Sequence, residues 1–328
     1  MSSLAPLSAL FQALADPSRL RIVSLLRSME LSVGELAQVL GQSQPRVSRH
    51  VRILADAGLV SRRKEGSWVF LQLTDPDRAE PLFAAVALWA APEAFSLLDS
   101  DIARLEAVRA DRAEAAARYF SAHAETWDSI RSLHVAESEV EQAIASALGD
   151  APLGRLVDIG TGTGRMLELF GPVADSAVGV DRSSEMLRMA RVKLEASGVR
   201  GVSLRQGDMY ALPLDDASAD VVILHQVLHY AQAPAHAIAE AGRLLGPGGR
   251  LLIVDFAPHD REELRDTDAH QRLGFADPAI SGWFEGAGLT AEASRHLAGG
   301  ELTVSLWLAR KTGGRQRRSL SGRMGRAA

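Results

Sequence analysis

The 328-residue chain contains no cysteine. Disulfides, thiolate metal sites and a cysteine nucleophile are excluded together. It has no apolar run of membrane-spanning length, and its N-terminus lacks the basic-then-apolar layout of a secretory signal, so a cytoplasmic protein is expected. Acid is missing from one end: residues 310–328 hold seven basic residues and no Asp or Glu. Residues 1–75 carry nine Lys or Arg against six Asp or Glu, although the whole chain has a net charge of −5. An acidic body with a mildly basic head suits a DNA-reading module attached to a body with another task. With 47% hydrophobic and 23% charged residues, the chain has enough apolar material for two domains of ordinary size.

The first 75 residues read as short helices followed by a hairpin. "PLSALFQALA" and "PSRLRIVSLLRSM" carry apolar residues at helical spacing, and Pro17 sits where a first helical turn tolerates it. In "SVGELAQVLG", Ser32 is positioned as N-cap, Glu35 follows three residues on, and Gly41 stops the helix. "QSQPRVSRHVRILADAG" is the next helix, with Ser43 as cap and Pro45 in its first turn. "LVSRRKEGSWVFLQL" alternates around Glu65-Gly66, a hairpin signal. A short helix, a tight turn and a capped second helix form a helix-turn-helix, whose second helix enters the major groove of DNA. Val47, Val51 and Leu54 form its buried stripe, while Gln44, Arg46, Ser48, Arg49 and His50 take the early and outer positions. These residue types read base edges or hold phosphates. Arg62, Arg63 and Lys64 flank the hairpin turn, where a wing meets the DNA backbone.

Residues 4–75 resemble the ArsR/SmtB family of winged-helix repressors. The resemblance rests on "LADPSRLRIVSLL", on the recognition helix "SQPRVSRHV" and on "AGLV" at the entry to the wing. It implies a homodimer on an inverted-repeat operator in double-stranded DNA, released by a ligand. Many such proteins sense metals through Cys or His. Here there is no Cys, and no His lies between 78 and 118, so no metal site is expected and the effector must bind elsewhere.

Residues 76–118 read as a helical connector and candidate dimer interface, residues 119–310 as a second domain, and residues 311–328 as a basic disordered tail. In the second domain, candidate strands at 155–159, 177–181, 202–206, 219–225 and 250–256 alternate with helices such as "SSEMLRMARVKLEASG" and "PAHAIAEAGRLLGPGG". "AEASRHL" and "ELTVSLWLAR" read as two late strands closing an edge. The expected fold class is α/β: an N-terminal winged helix-turn-helix domain followed by a doubly wound, Rossmann-like domain.

"RLVDIGTGTG" places Asp158 ahead of Gly160, Gly162 and Gly164. The third glycine of an NAD fingerprint would fall at 165, which is Arg. "AVGVDRSSEML" puts Asp181 at the end of the second strand, where a carboxylate takes the hydroxyls of a ribose, with Arg182 beside it. "LRQGDMYALPL" puts Asp208 and Met209 after the third strand, near the expected adenine edge, and "ADVVILHQVLHY" ends the fourth. In this order the run resembles the class I S-adenosylmethionine-dependent methyltransferases, above all those acting on small molecules. The resemblance implies that Asp158, Gly160, Gly162 and Gly164 shape the loop around the methionine part of the cofactor. It further implies that Asp181 and Arg182 attend its ribose, that Asp208 and Met209 face adenine, and that His225 and Gln226 lie under the methyl or its sulfur. In similar proteins a segment placed like Tyr119, His123, Trp127 and Arg131 closes over the cofactor. His225, His229 and Tyr230, with His270 further on, are the candidate bases, and spacing fixes none of them. Arsenic methylation relies on thiols and is disfavoured.

Three readings of the whole chain stay open. In the favoured one it is a transcriptional regulator whose second domain binds S-adenosylmethionine or S-adenosylhomocysteine as effector, tuning methionine and methyl-cycle genes. In the second it is an active small-molecule methyltransferase tied to a DNA-binding head. In the third the winged helix is only a dimerisation module on such an enzyme.

Overall fold

A computed structural model describes residues 5–27, 31–65, 68–89, 96–107, 110, 136–298 and 301–312. The expectations for Tyr119, His123, Trp127 and Arg131, for Gly66 in the hairpin turn, and for 111–118 and 313–328 fall outside these residues.

The head begins with α1 (Ala5–Leu14) and α2 (Pro17–Leu26). Asp16 caps α2 by accepting the Arg19 N–H at 3.1 Å, and Pro17 opens the helix without losing a hydrogen bond. A two-residue strand β1 (Leu31–Ser32) leads into α3 (Val33–Leu40). There the reciprocal cap forms: the Ser32 hydroxyl accepts the Glu35 N–H at 3.2 Å, and a Glu35 carboxylate oxygen accepts the Ser32 N–H at 2.6 Å. Gly41 ends the helix in the left-handed region at φ +63°. The next helix, α4, runs Gln44–Asp56. Ser43 occupies its cap position but not as the sequence suggests, because its hydroxyl makes no capping bond and its carbonyl takes the Arg46 and Val47 N–H groups. Strands β2 (Val60–Glu65) and β3 (Trp68–Leu73) form the wing hairpin, and β1 adds to β3 to give the order β1-β3-β2. Ile22, Leu25, Leu36, Val47, Val51, Leu54 and Leu71 close one core beneath these elements.

In the connector, the described residues include α5 (Pro76–Trp89) and a helical stretch over 96–107. That stretch is tied to the head through Asp101, a carboxylate only 1% exposed. Asp101 accepts two bonds from Arg21 of α2, at 2.5 and 2.7 Å, and a further one from Arg104. Arg104 also donates to the Val39 carbonyl at 2.9 Å. A buried carboxylate is tolerated only when paired in this way.

The second domain opens with α6 (Glu137–Leu148) and then alternates β4 (Arg155–Ile159), α7 (Arg165–Phe170), β5 (Ser176–Asp181), α8 (Ser184–Ala196), β6 (Val202–Gln206) and β7 (Ala219–His225). It continues with α9 (Pro234–Leu244), β8 (Leu245–Phe256), α10 (Glu263–Thr267), α11 (Asp277–Gly286), β9 (Leu289–Ala298) and β10 (Thr303–Lys311). The sheet order is β6-β5-β4-β7-β8-β10-β9, with the first five strands parallel and the last two antiparallel. Central strands are apolar on both faces. Leu156, Val221, Ile223, Leu252 and Val254 face one core, and Val157, Val222, Leu224, Leu251 and Ile253 face the other. The strand expected at 250–256 starts at Leu245. Ala219 pairs with Leu245 and Val221 with Arg250, so the Gly246–Gly249 stretch bulges out of the ladder within the strand. Strand order reverses direction between β4 and β7, and in open sheets of this kind the crevice for a ligand lies outside the carboxyl ends of the strands at that point.

Candidate functional site

The crevice is floored by the loop after β4. Gly160, Gly162 and Gly164 all adopt positive φ, at +70°, +53° and +85°. A Cβ on Gly160 would stand 2.3 Å from a methyl of Val227, so only glycine lets the loop pack this closely against the turn after β7. The Gly160 and Thr161 N–H groups donate to the Val180 carbonyl at 2.8 and 3.1 Å, pinning the loop to the end of β5. Asp158 is 1% exposed at the end of β4.

Asp181 closes β5 beside this loop. One carboxylate oxygen accepts the Gly162 N–H at 2.8 Å and the other accepts the Ser183 N–H at 2.8 Å. Burial pushes this carboxyl above the usual carboxylate range, and the N–H donors of Ser183, Gly162 and Arg182 oppose the shift. Arg182 is exposed, and its carbonyl takes the Gln206 amide at 3.0 Å. The Gly207 N–H donates to the Asp181 carbonyl at 3.0 Å, so the turn after β6 lies against the same corner. In that turn Asp208 accepts the Tyr210 N–H at 3.0 Å, and Met209 packs on the core below. The loop glycines, Asp181, Arg182, Asp208 and Met209 therefore share one end of the sheet. Three positive-φ glycines beside a carboxylate at the tip of the neighbouring strand fit an adenosyl group carrying an amino-acid chain.

The end of β7 supplies the other wall. His225 is half-buried. Gln226 is buried and holds φ at +50°, a region that costs a side-chain-bearing residue about 1–3 kcal/mol, while its N–H donates to the Val254 carbonyl at 2.7 Å. His229 lies beyond, 1% exposed, with Nδ1 at 2.8 Å from a carboxylate oxygen of Asp255. Sequence reasoning missed Asp255. It is fully buried near the end of β8 and also accepts the N–H groups of Leu228, His229 and Phe256. The signal was present in "LLIVDF", since a carboxylate inside an apolar strand requires a buried partner. The His229 ring packs against Tyr230, His270 and Phe256 at centroid distances of 4.0, 4.3 and 5.0 Å. In the neutral ring, donation from Nδ1 to Asp255 leaves the lone pair on Nε2, which has no hydrogen-bond partner among the described residues.

On the head, Gln44, Arg46, Ser48 and Arg49 are exposed along α4, and Val47, Val51 and Leu54 are buried beneath them. His50 goes elsewhere: it is 8% exposed, on the inner face, with Nδ1 3.8 Å from an Asp16 carboxylate oxygen. Burial lowers its pKa from 6.5, the nearby Arg19, Arg46 and Arg49 add to that, and Asp16 opposes it. On the wing, Arg62 and Lys64 are exposed on one face of β2. Arg63 alternates to the other, with its guanidinium carbon 5.2 Å from the Phe70 ring centre.

Known proteins divide along the same boundary. Residues 16–62 match the family model described as bacterial regulatory protein, arsR family, and residues 157–253 match the methyltransferase domain model. The chain is 48% identical over 75 residues to the arsenical resistance operon repressor of Escherichia coli (strain K12), covering 23% of this chain and 63% of that protein. It is 35% identical over 107 residues to the uncharacterized methyltransferase YcgJ of Bacillus subtilis (strain 168), covering 32% of this chain and 42% of the relative. The chain thus spans less than two thirds of the length of these curated relatives. Among solved structures, a chain in the complex between the Haloferax volcanii Trm112 methyltransferase activator and a methyltransferase shares the fold at a TM-score of 0.50 and 22% identity, over 59% of this chain and 97% of that one. Among the described residues, no helix is long and apolar enough to cross a membrane. The chain joins an arsR-family helix-turn-helix to a methyltransferase domain of Rossmann-like fold.

Proposed function

We propose that the chain is a DNA-binding transcriptional regulator whose C-terminal domain binds S-adenosylmethionine or S-adenosylhomocysteine as its effector, tuning genes of methionine and methyl-group metabolism. One observation carries this reading. The Asp181 carboxylate accepts the Gly162 amide of a glycine-rich loop, in the same chain as a helix that exposes Gln44, Arg46, Ser48 and Arg49. Asp181 and Arg182 hold the ribose. The loop from Asp158 to Gly164 follows the amino-acid chain, Asp208 and Met209 flank the adenine, and His225 and Gln226 lie beneath the sulfur. Regulation follows from linkage: the ligand changes operator affinity only by its different affinity for the two states of the protein.

The DNA partner is a two-fold operator read by a homodimer. Exposed Leu7 and Phe11 on α1, Leu88 on α5, and Leu97 and Ile102 on the 96–107 stretch supply apolar surface for a second copy. Operator affinity of the full chain, measured with neither ligand and then with each at saturation, tests the proposal. A shift of about fivefold or more with one form is expected, and equal affinity in all three conditions removes the effector role.

A second reading, methyl transfer to a small molecule, draws on the His229–Asp255 pair. When bound, S-adenosylmethionine supplies an already activated methyl group. Nε2 of His229, oriented by Asp255, is the base for an acidic acceptor, which must uncover that buried atom as it binds. Formation of S-adenosylhomocysteine with a candidate acceptor, lost in His229→Gln, separates this reading from a pure sensor.

A further inference from the structure

Phe70 is buried on the wrong face of the wing. Along β3, Leu71 and Leu73 belong to the core of the head and Val69 packs against it. The two-residue period of a strand turns Phe70 and Gln72 the other way. Gln72 is accordingly exposed, yet Phe70 is only 4% exposed. Part of its cover comes from the second domain. The Arg272 guanidinium carbon stands 3.9 Å from the centre of the Phe70 ring, and Arg272 itself is 1% exposed. Arg63 lies directly opposite Phe70 in the hairpin register and adds a second guanidinium to the same ring.

Arg272 is held by the turn that follows β7. Its Nη2 donates to the Gln232 carbonyl at 2.6 Å, its Nε to the Ala231 carbonyl at 3.4 Å, and its backbone N–H to the His229 carbonyl at 2.9 Å. That turn begins at Gln226, whose positive φ gives it a conformation to relax from. A second connection runs from the other side of the crevice. Asp208 binds the Tyr210 amide, the Tyr210 hydroxyl accepts the Ala233 N–H at 3.1 Å, and Ala233 packs into the hydrophobic core of the head.

We propose that the Phe70–Arg272 contact is the joint through which occupancy of the glycine-loop crevice sets the position of the DNA-facing wing. This inference rests on the regulatory reading and names its moving part. A ligand that presses on Gln226 from one side and on Asp208 from the other shifts the 226–233 turn, and with it the carbonyls that aim Arg272. The ring contact then breaks or forms, and the hairpin carrying Arg62, Arg63 and Lys64 moves with β3. The structure holds the joint closed, with the guanidinium over the ring, and coupling requires an open arrangement as well, which the ligand and the operator bias differently.

The test uses the full chain. Operator affinity is measured with and without saturating S-adenosylhomocysteine and S-adenosylmethionine in wild type, Phe70→Leu, Arg272→Lys and Phe70→Tyr, and ligand affinity is measured separately by calorimetry. A wild-type response of about tenfold is expected to fall below about twofold in Phe70→Leu and Arg272→Lys, because an aliphatic chain or a point charge cannot stack as the original pair does. Phe70→Tyr keeps the aromatic face and retains the response, and calorimetric affinities stay within about twofold of wild type throughout. A wild type that does not respond overturns both this inference and the regulatory reading. A wild-type response that persists undiminished in Phe70→Leu and Arg272→Lys overturns the joint alone. Loss of ligand binding in those two variants also overturns it, since the contact would then belong to the crevice itself.

Discussion

Asp181 shows how much one carboxylate does in this crevice. It orders the glycine loop through Gly162 and starts α8 through Ser183, and in the proposed complex it exchanges part of that network for a ribose. Asp181→Ala removes charge-assisted hydrogen bonds worth about 2–3 kcal/mol, a loss of roughly 30- to 150-fold in ligand affinity measured by calorimetry. Its place was legible from the order of strands and glycines. Other residues were hidden by their chemistry. Positions 47, 50, 51 and 54 follow the spacing of one helical face, so His50 belongs with the buried stripe, but reading that stripe from its apolar members alone put His50 on the DNA side. Its burial has a consequence in pH. The folded protein holds this imidazole neutral below the ordinary 6.5, so on acidification the unfolded chain takes the proton first. Stability from this group is intact above 6.5 and declines as pH falls from there to the folded value. Urea midpoints at pH 7.5, 6.0 and 5.0 are expected to fall less steeply for His50→Gln than for wild type.

Elements were easier to read than their neighbours in space. Four of the five parallel strands announced themselves as apolar runs and β6 by alternation, and four of the five match within one residue of their expected ends. The Gly246–Gly249 stretch misled because glycine and proline signal a stop in a helix and a bulge in a strand equally well. The insertion of β10 between β8 and β9 left no trace in periodicity, since pairing order is decided by which edge remains free. For α4 the sequence gives a sharp expectation. Arg49→Ala should weaken operator binding by roughly ten- to hundredfold while leaving calorimetric affinity for S-adenosylhomocysteine unchanged, because a lost base contact costs about 1–3 kcal/mol. Equal losses in both measurements would assign Arg49 to the fold.

At the scale of the whole chain, the division into a DNA-reading head and a nucleotide-type body was visible in charge and motif, but the boundary at the far end was not. Lys311 belongs to β10, and its ammonium donates to the Gly242 and Leu245 carbonyls at 2.8 and 2.7 Å, closing the end of α9. Removal of 311–328 is therefore expected to lower the melting temperature relative to removal of 313–328, with differential scanning calorimetry as the measurement. The contact between head and body was the least legible feature of all. A phenylalanine in a wing strand reads as core from its type alone; strand alternation turns it away from Val69, Leu71 and Leu73, but only the folded chain shows that Arg272 meets it.

That outward ring limits how these two parts can be exchanged. A head cut free after the wing would lose the Arg272 cation from the Phe70 ring and keep only that of Arg63. A chimera with a foreign body would need a cation at the place of Arg272 to restore the second contact on that ring. Attempts to build biosensors by grafting this reader onto other ligand-binding domains should begin by replacing that one side chain.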